Sequence, residues 1–221
     1  HNSYFVGFLM DGILLLEKQK ETNHYQIQSL PINSGVFCLK KDRFQDVVWI
    51  GTDGQGVYLY SNPLYSIKSM VLSNYTEKIE RPVRAIYLDD ERTFWVGTKG
   101  NGILKIYDYE FDKNISDCRA EVLTTSNSAL SSNAVYCFAK SHRNLLWIGD
   151  EEGLTYYSYR EKRIKSIPIR IGNEDFKYIH DIYETADSEL WLASVGMGVV
   201  KARIAGTPDN PVIVDAQRYI I

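Results

Sequence analysis

Short apolar runs of four to six residues recur along this chain, separated by clusters of turn-forming residues. One set reads Val36-Phe-Cys-Leu39, Val83-Arg-Ala-Ile86, Val135-Tyr-Cys-Phe138 and Ile179-His-Asp-Ile182. Each is followed by a polar turn, as at Lys41-Asp-Arg43, Asp89-Asp-Glu-Arg92, Ser141-His-Arg-Asn144 and Ala186-Asp-Ser188. A second apolar run follows, Val47–Thr52 in the first full unit. A Gly-rich turn then leads to a third run: Val57–Tyr60, Ile103–Tyr107, Leu154–Tyr157 or Val199–Ala202. A fourth, more polar run closes each unit: Ser66–Leu72, Arg119–Leu123, Arg163–Ile167 and Val212–Asp215. Aromatic and β-branched residues inside the runs, with turn residues between them, predict short antiparallel strands. No segment sustains a 3.6-residue apolar period, so helix is predicted to be nearly absent.

The same punctuation repeats at a fixed spacing, and that decides the architecture. Trp49-Ile-Gly-Thr-Asp-Gly-Gln-Gly56-Val recurs as Trp95-Val-Gly-Thr-Lys-Gly-Asn-Gly102-Ile and Trp147-Ile-Gly-Asp-Glu-Glu-Gly153-Leu. It recurs again as Trp191-Leu-Ala-Ser-Val-Gly-Met-Gly198-Val, with a degenerate first copy at Phe5-Val-Gly-Phe-Leu-Met-Asp-Gly12-Ile. The aromatic anchors at 5, 49, 95, 147 and 191 lie 44, 46, 52 and 44 residues apart. One aromatic anchor per unit of forty to fifty residues matches the four-stranded blade of a β-propeller. The expected fold is therefore all-β, with about four full four-stranded antiparallel blades plus a partial one. The partial blade spans 1–32 and lacks its innermost strand. Full blades cover about 33–73, 80–125, 131–169 and 176–215, and the tail 216–221 is expected to begin another inner strand or close the first blade. Exposed end blades would be sticky, so the segment is read as part of a larger propeller.

A blade is covered on both faces by its neighbours, which is why Val47-Val-Trp-Ile50 is continuously apolar. Tryptophan supplies a flat surface to fill the wedge between blades. Gly51, Gly54 and Gly56 suit positive φ or close backbone approach. Tyr60, Tyr107 and Tyr157 are expected to end the third strands with a polar tip toward water.

Asn133-Ala-Val135 leading into Trp147-Ile-Gly, and Trp-apolar-Gly-Thr followed by Gly-apolar, closely resemble the two-component regulator propeller repeat. Ser126–Asn133 is similar to that family's Leu-Ser-x-Asn entry to an inner strand. The resemblance covers nearly the whole chain in four clear copies. It implies the periplasmic sensor of a gut-bacterial hybrid two-component system, with seven-bladed propellers, a β-sandwich, one membrane helix and cytoplasmic kinase parts. It also implies a glycan-derived ligand and control of polysaccharide utilisation. The chain departs from the pattern in having fewer than seven units, in Phe5–Ile13 and at Ala193. Another kind of regulator, or a secreted enzyme, stays open. The Asn-x-Ser/Thr matches at Asn74 and Asn114 carry no weight in the bacterial chain that the resemblance implies.

Composition narrows the partners. The 221 residues carry a formal charge of −3 with Lys and Arg scattered, which argues against nucleic acid and against an anionic membrane surface. No apolar stretch reaches the roughly 18 residues that span a bilayer. The start at His1 leaves any signal peptide undecided. Cys38, Cys118 and Cys137 show no ligand spacing and read as small buried hydrophobes.

Catalytic chemistry finds little footing. His1, His24, His142 and His180 have no metal-ligand spacing, and no nucleophile elbow is present. Thr52-Asp-Gly-Gln-Gly56 joins strand to strand, so it is a turn rather than a phosphate loop. The acids Asp89-Asp90-Glu91 and Asp150-Glu151-Glu152 are expected to be solvated turns. No catalytic residue, metal or cofactor is therefore assigned, and the segment is read as a non-enzyme.

Sugar recognition needs flat aromatics and planar polar groups, and a propeller gathers them where inner strands begin, near its axis. The candidates are Asn33, Phe37, Arg81, Arg84, Asn133, Tyr136, Tyr178 and His180, led by Arg84 and Tyr178. Expected partners are an oligosaccharide or other small ligand, further blades and sensor domains of the same protein, and a second copy in a homodimer. A propeller-type lyase using His180 and a pure protein-interaction scaffold are the rival readings.

Overall fold

The computed structural model describes residues 3–19, 24–61, 66–70 (backbone only), 79, 81–109 and 118–220. Every regular element among them is a strand. A three-stranded sheet comes first, β1 (Ser3–Phe8), β2 (Gly12–Lys18) and β3 (Tyr25–Leu30), without an inner strand before β1 among the described residues. Four four-stranded antiparallel sheets follow. They are β4 (Val36–Lys41), β5 (Val47–Thr52), β6 (Val57–Ser61), β7 (Ser66–Met70); and β8 (Val83–Leu88), β9 (Phe94–Thr98), β10 (Ile103–Ile106), β11 (Ala120–Leu123). Next come β12 (Val135–Lys140), β13 (Leu145–Asp150), β14 (Leu154–Ser158) and β15 (Arg163–Ile167). A short hairpin, β16 (Arg170–Ile171) with β17 (Glu174–Asp175), leads to the last sheet. That sheet holds β18 (Ile179–Glu184), β19 (Glu189–Ser194), β20 (Gly198–Thr207) and β21 (Asn210–Tyr219). Strands pair in sequence order within each sheet, and each inner strand lies beside that of the next sheet. This is the blade arrangement of a β-propeller.

The indoles do what the repeat implies. Trp49, Trp95 and Trp147 are fully buried between consecutive blades. Trp49 stacks on Phe94 of the next blade at 4.1 Å, and Trp95 meets Tyr157 edge-on at 4.8 Å. Each such indole withdraws roughly 150–250 Å² from water, a gross stabilisation of about 4–6 kcal/mol. Two glycines of the anchor strands allow the blades to come this close. A Cβ on Gly97 would lie 2.8 Å from Val135 of the following blade, and one on Gly149 would lie 2.5 Å from the Ile179 carbonyl oxygen. Where Phe5 stands in place of Trp, the wedge is underfilled. A cavity of about 290 Å³ opens there between the first two blades, lined by Phe5, Leu15, Leu39, Val48 and Tyr60 among others.

Several expectations need correction. Ala216–Tyr219 does not start a new inner strand: it continues β21, with Tyr219 paired to Val199. The chain has no turn residue after Asp215, so the hairpin simply runs on. The β16–β17 hairpin fills the expected gap between the last two blades. Tyr60 and Tyr157 are buried rather than water-facing, because they pack into the wedges beside Phe5 and Trp95. The acid turns are not simply solvated either. Asp89 is buried and accepts hydrogen bonds from the Glu91 and Thr93 amides and from Trp95 Nε1 at 2.9 Å. Asp42 does the same for the Phe44 and Gln45 amides and Trp49 Nε1. Asp150 is buried under the Glu152 and Gly153 amides and the Ser131 hydroxyl. Each carboxylate closes a turn whose donors would otherwise be orphaned. Val71 and Leu72, at the end of the expected fourth strand, and Asn74 and Asn114 lie outside the described residues.

The two ends of the arc are apolar. On the first sheet Tyr4 is 58% and Ile27 62% exposed, and on the last Tyr183 is 66% and Val214 54% exposed.

Candidate functional site

The inner strands share a local irregularity that builds the site. In β4 the register jumps from Val36↔Thr52 to Cys38↔Gly51, leaving Phe37 without a partner. The same jump leaves out Arg84 in β8, Tyr136 in β12 and His180 in β18. A β-bulge of this kind frees one residue from the ladder and re-aims its side chain. Here it occurs at the equivalent position of four consecutive blades. The four freed side chains meet in two pairs, and Arg84 acts electrostatically on Tyr136 between them. The Arg84 guanidinium lies over the Phe37 ring at 4.0 Å, and the Tyr136 and His180 rings stack at 4.2 Å and 21°.

The electrostatics of this arc are defined by one cation. Partial desolvation and the nearby positive charge of Arg84 hold the otherwise exposed His180 ring below the usual imidazole range. Burial raises the Tyr136 hydroxyl, with the negative charge of Glu151 adding to it and Arg84 opposing it. Arg84 itself has no carboxylate partner among the described residues, and its Nε is buried without a hydrogen-bond partner.

The other candidates are placed differently. Tyr178 stands just before β18 at φ 54°, exposed, held by its amide to the Glu151 carbonyl oxygen at 3.0 Å, and close enough to act on Tyr136 electrostatically. Arg81 is exposed beside the Gly100 turn, with its amide bonded to Asn101 Oδ1. Asn33 is exposed and offers its carbonyl oxygen to Gln55. Asn133 is turned to structure, since its Oδ1 accepts the Thr125 amide and its carbonyl oxygen accepts the Gly100 and Gly102 amides. Phe37, Arg84, Tyr136 and His180 are thus brought together, Tyr178 and Arg81 lie at the rim, and the two asparagines serve loops.

Glu151 belongs at this rim and is absent from the residues picked out by sequence. It sits four residues after its Trp anchor, where the other copies carry Asp53, Lys99 and Val195. In all four, the amide at this position donates to the carbonyl oxygen just before an inner strand. Backbone geometry repeats while side-chain chemistry varies, and that contrast is the signal that marks the position.

Cys38 and Cys137 are held in the thiol form. Burial pushes Cys38 up to about 12, and Cys137, also raised by burial, donates weakly to the Ile179 carbonyl oxygen. Among the described residues, no group of three His, Cys, Asp or Glu side chains is placed to hold a metal ion.

No family model matches this chain. Two curated proteins do. Translation initiation factor 6 of Saccharolobus solfataricus is 31% identical over 140 residues, which is 58% of this chain and 57% of that protein. Histidine kinase P4 of Formosa agariphila is 23% identical over 196 residues, 83% of this chain but 13% of that protein. The chain therefore spans only part of either relative. Among solved structures, the extracellular domain of a protein described as a hybrid two-component system from B. thetaiotaomicron matches over the whole chain and 27% of its own length. The TM-score is 0.70 and the identity 24%. The extracellular domain of a protein described as a one-component system from the same organism matches 98% of this chain and 28% of its own. Its TM-score is 0.65 and its identity 16%. The Cps50 (Swd1) β-propeller domain of Myceliophteria thermophila matches 99% of this chain and 69% of its own, with a TM-score of 0.65 and 13% identity. At these identities the likeness is one of fold.

Proposed function

We propose that this chain is a ligand-binding sensory segment from the extracytoplasmic part of a hybrid two-component receptor, that its location is the periplasm, and that its ligand is glycan-derived. The observation that carries the reading is the row of Phe37, Arg84, Tyr136 and His180, set by four equivalent bulges at the inner edge of the blades. Flat rings offer an apolar face to a sugar ring, and the guanidinium, phenol and imidazole offer hydrogen-bond partners to hydroxyls. The likeness to a histidine kinase over most of the chain, and to extracellular domains of signalling proteins, supports the sensory role. The likeness to a translation factor covers only 58% of the chain and 57% of that protein, and the reading takes no role from it.

In this reading further blades of the same protein cover the apolar end faces, and a homodimer carries the output. Ligand binding favours one arrangement of the propellers, and an attached membrane helix reports it to a kinase. The segment itself performs no catalysis, and the arc has no nucleophile–base pair. The test is calorimetry against a panel of plant, host and microbial oligosaccharides, with Tyr136→Ala alongside. At least one oligosaccharide is expected to release heat in a Tyr136-dependent manner. Silence across the panel would favour a protein-interaction scaffold, and turnover of a glycan lost in His180→Ala would favour a lyase.

A further inference from the structure

From the unpaired state of Arg84 we infer that the ligand at the inner edge of the blades bears an acid group, a carboxylate or a sulfate ester, that binds in the plane of the guanidinium. This rests on the reading above that the arc is a ligand site, and it adds the chemical class of what binds. Many cations of this protein have acidic partners: Lys177 pairs with Glu152, Lys201 with Glu189, Arg143 with Glu184 and Arg160 with Asp209, while the buried Lys105 donates to the Tyr157 hydroxyl. Arg43 and Lys140 both reach Asp90 across neighbouring blades. Arg84 is half-buried, no carboxylate reaches it among the described residues, and its Nε is buried with nothing to bond.

A half-buried guanidinium without a counter-charge costs free energy that the fold does not recover. Its contact with Phe37 uses only the face of the planar group, by a cation–π interaction. The five N–H donors lie in the plane, and the one on Nε is withdrawn from water with nothing to bond. An acceptor arriving edge-on completes it, and a carboxylate or sulfate oxygen pair matches the fork in both geometry and charge. The neighbouring Tyr136–His180 stack supplies the apolar face for the ring that carries the acid. Glu151, which acts on Tyr136 with the sign opposite to Arg84 and accepts the Ser132 hydroxyl, sets a preference. Its charge disfavours an acid group beside it, while that of Arg84 favours one.

The experiment follows the Arg84 Nε–H signal of the 221-residue chain by NMR during titration with glucuronate, glucose and inorganic sulfate at millimolar concentration. Glucuronate is expected to shift this signal saturably while glucose leaves it unmoved, and sulfate alone separates the two acid types. In calorimetry, trigalacturonate is then expected to bind at least about tenfold more tightly than its methyl ester, because the ester removes a charged hydrogen bond. Arg84→Gln should erase that preference and Arg84→Lys should restore it only in part, with circular dichroism confirming that both variants fold. A signal unmoved by both acids, or an acid preference unchanged in Arg84→Gln, overturns the inference. If neutral oligosaccharides bind through Tyr136 and acids do not, the sensory reading survives without it. If the acids shift Arg84 while the whole oligosaccharide panel gives no heat, the acid site stands and the glycan reading fails.

Discussion

His180 sits under two influences that both disfavour its imidazolium form: contact with the Tyr136 ring withdraws it from water, and Arg84 lies near with the same sign of charge. Folding therefore excludes a proton that the unfolded chain would take up. The stability contributed by neutral His180 is present above the unfolded value of about 6.5 and is lost as pH falls through the lower folded value. An NMR titration should place its midpoint below the ordinary histidine range, and Arg84→Gln should raise it by removing the repulsion. At a second residue, Asp89, the chemistry is structural. Asp89→Ala strands two amides and the Trp95 indole N–H, so chemical denaturation should show a loss of about 1–3 kcal/mol or more. The sequence places Asp42 and Asp89 a few residues before their Trp anchors, yet their burial is not legible there. An acid run between strands reads as a solvated turn until the indole is seen to reach back for it. Where Ser141 holds the equivalent place, Trp147 Nε1 instead donates to Glu184 of the next blade at 2.7 Å.

The blade as an element is defined by its contacts with the next blade. The Trp-apolar-Gly order of the anchor strand puts a bulky ring and a bare backbone side by side. The ring fills the wedge and the bare backbone admits the β-branched residue that opens the following inner strand. Gly97→Ala would push its Cβ to 2.8 Å from Val135, 3.1 Å from Ala85 and 3.2 Å from Phe138. Overpacking of this kind costs about 1–3 kcal/mol, measurable as a lower midpoint of denaturation. The equivalent residue of the last blade is already Ala193, which faces no following inner strand among the described residues, so in this 221-residue chain Ala193→Gly should lose no more than roughly 1 kcal/mol of strand preference. The bulge is a second device of this element. It cannot be read from one inner strand alone, because Phe37, Arg84, Tyr136 and His180 share no residue type. It shows only as a skipped position when strands are paired.

At the scale of the whole molecule, the arc leaves aromatic and branched side chains bare at both ends, Tyr4 and Ile27 on one and Tyr183 and Val214 on the other. Apolar sheet faces of this kind drive association in water. The isolated chain is expected to show concentration-dependent self-association in sedimentation velocity, and paired Ile27→Lys and Tyr183→Lys substitutions should suppress it. Fusion to additional blades should suppress it as well.

The repeated indoles, their spacing and the strand-length apolar runs determined the blade count and the order of strands by themselves, because a unit that must bury two faces leaves a local, periodic mark. The residues that could contact a ligand were also placed at the heads of the inner strands by that periodicity. Which of them meet was decided only in three dimensions. Phe37 and Arg84, or Tyr136 and His180, are more than forty residues apart in sequence, and they touch because successive bulges turn them to the same side of neighbouring strands. The lack of a partner for Arg84 among the described residues is likewise a property of the assembled arc, since it shows only once the neighbouring strands have taken their places.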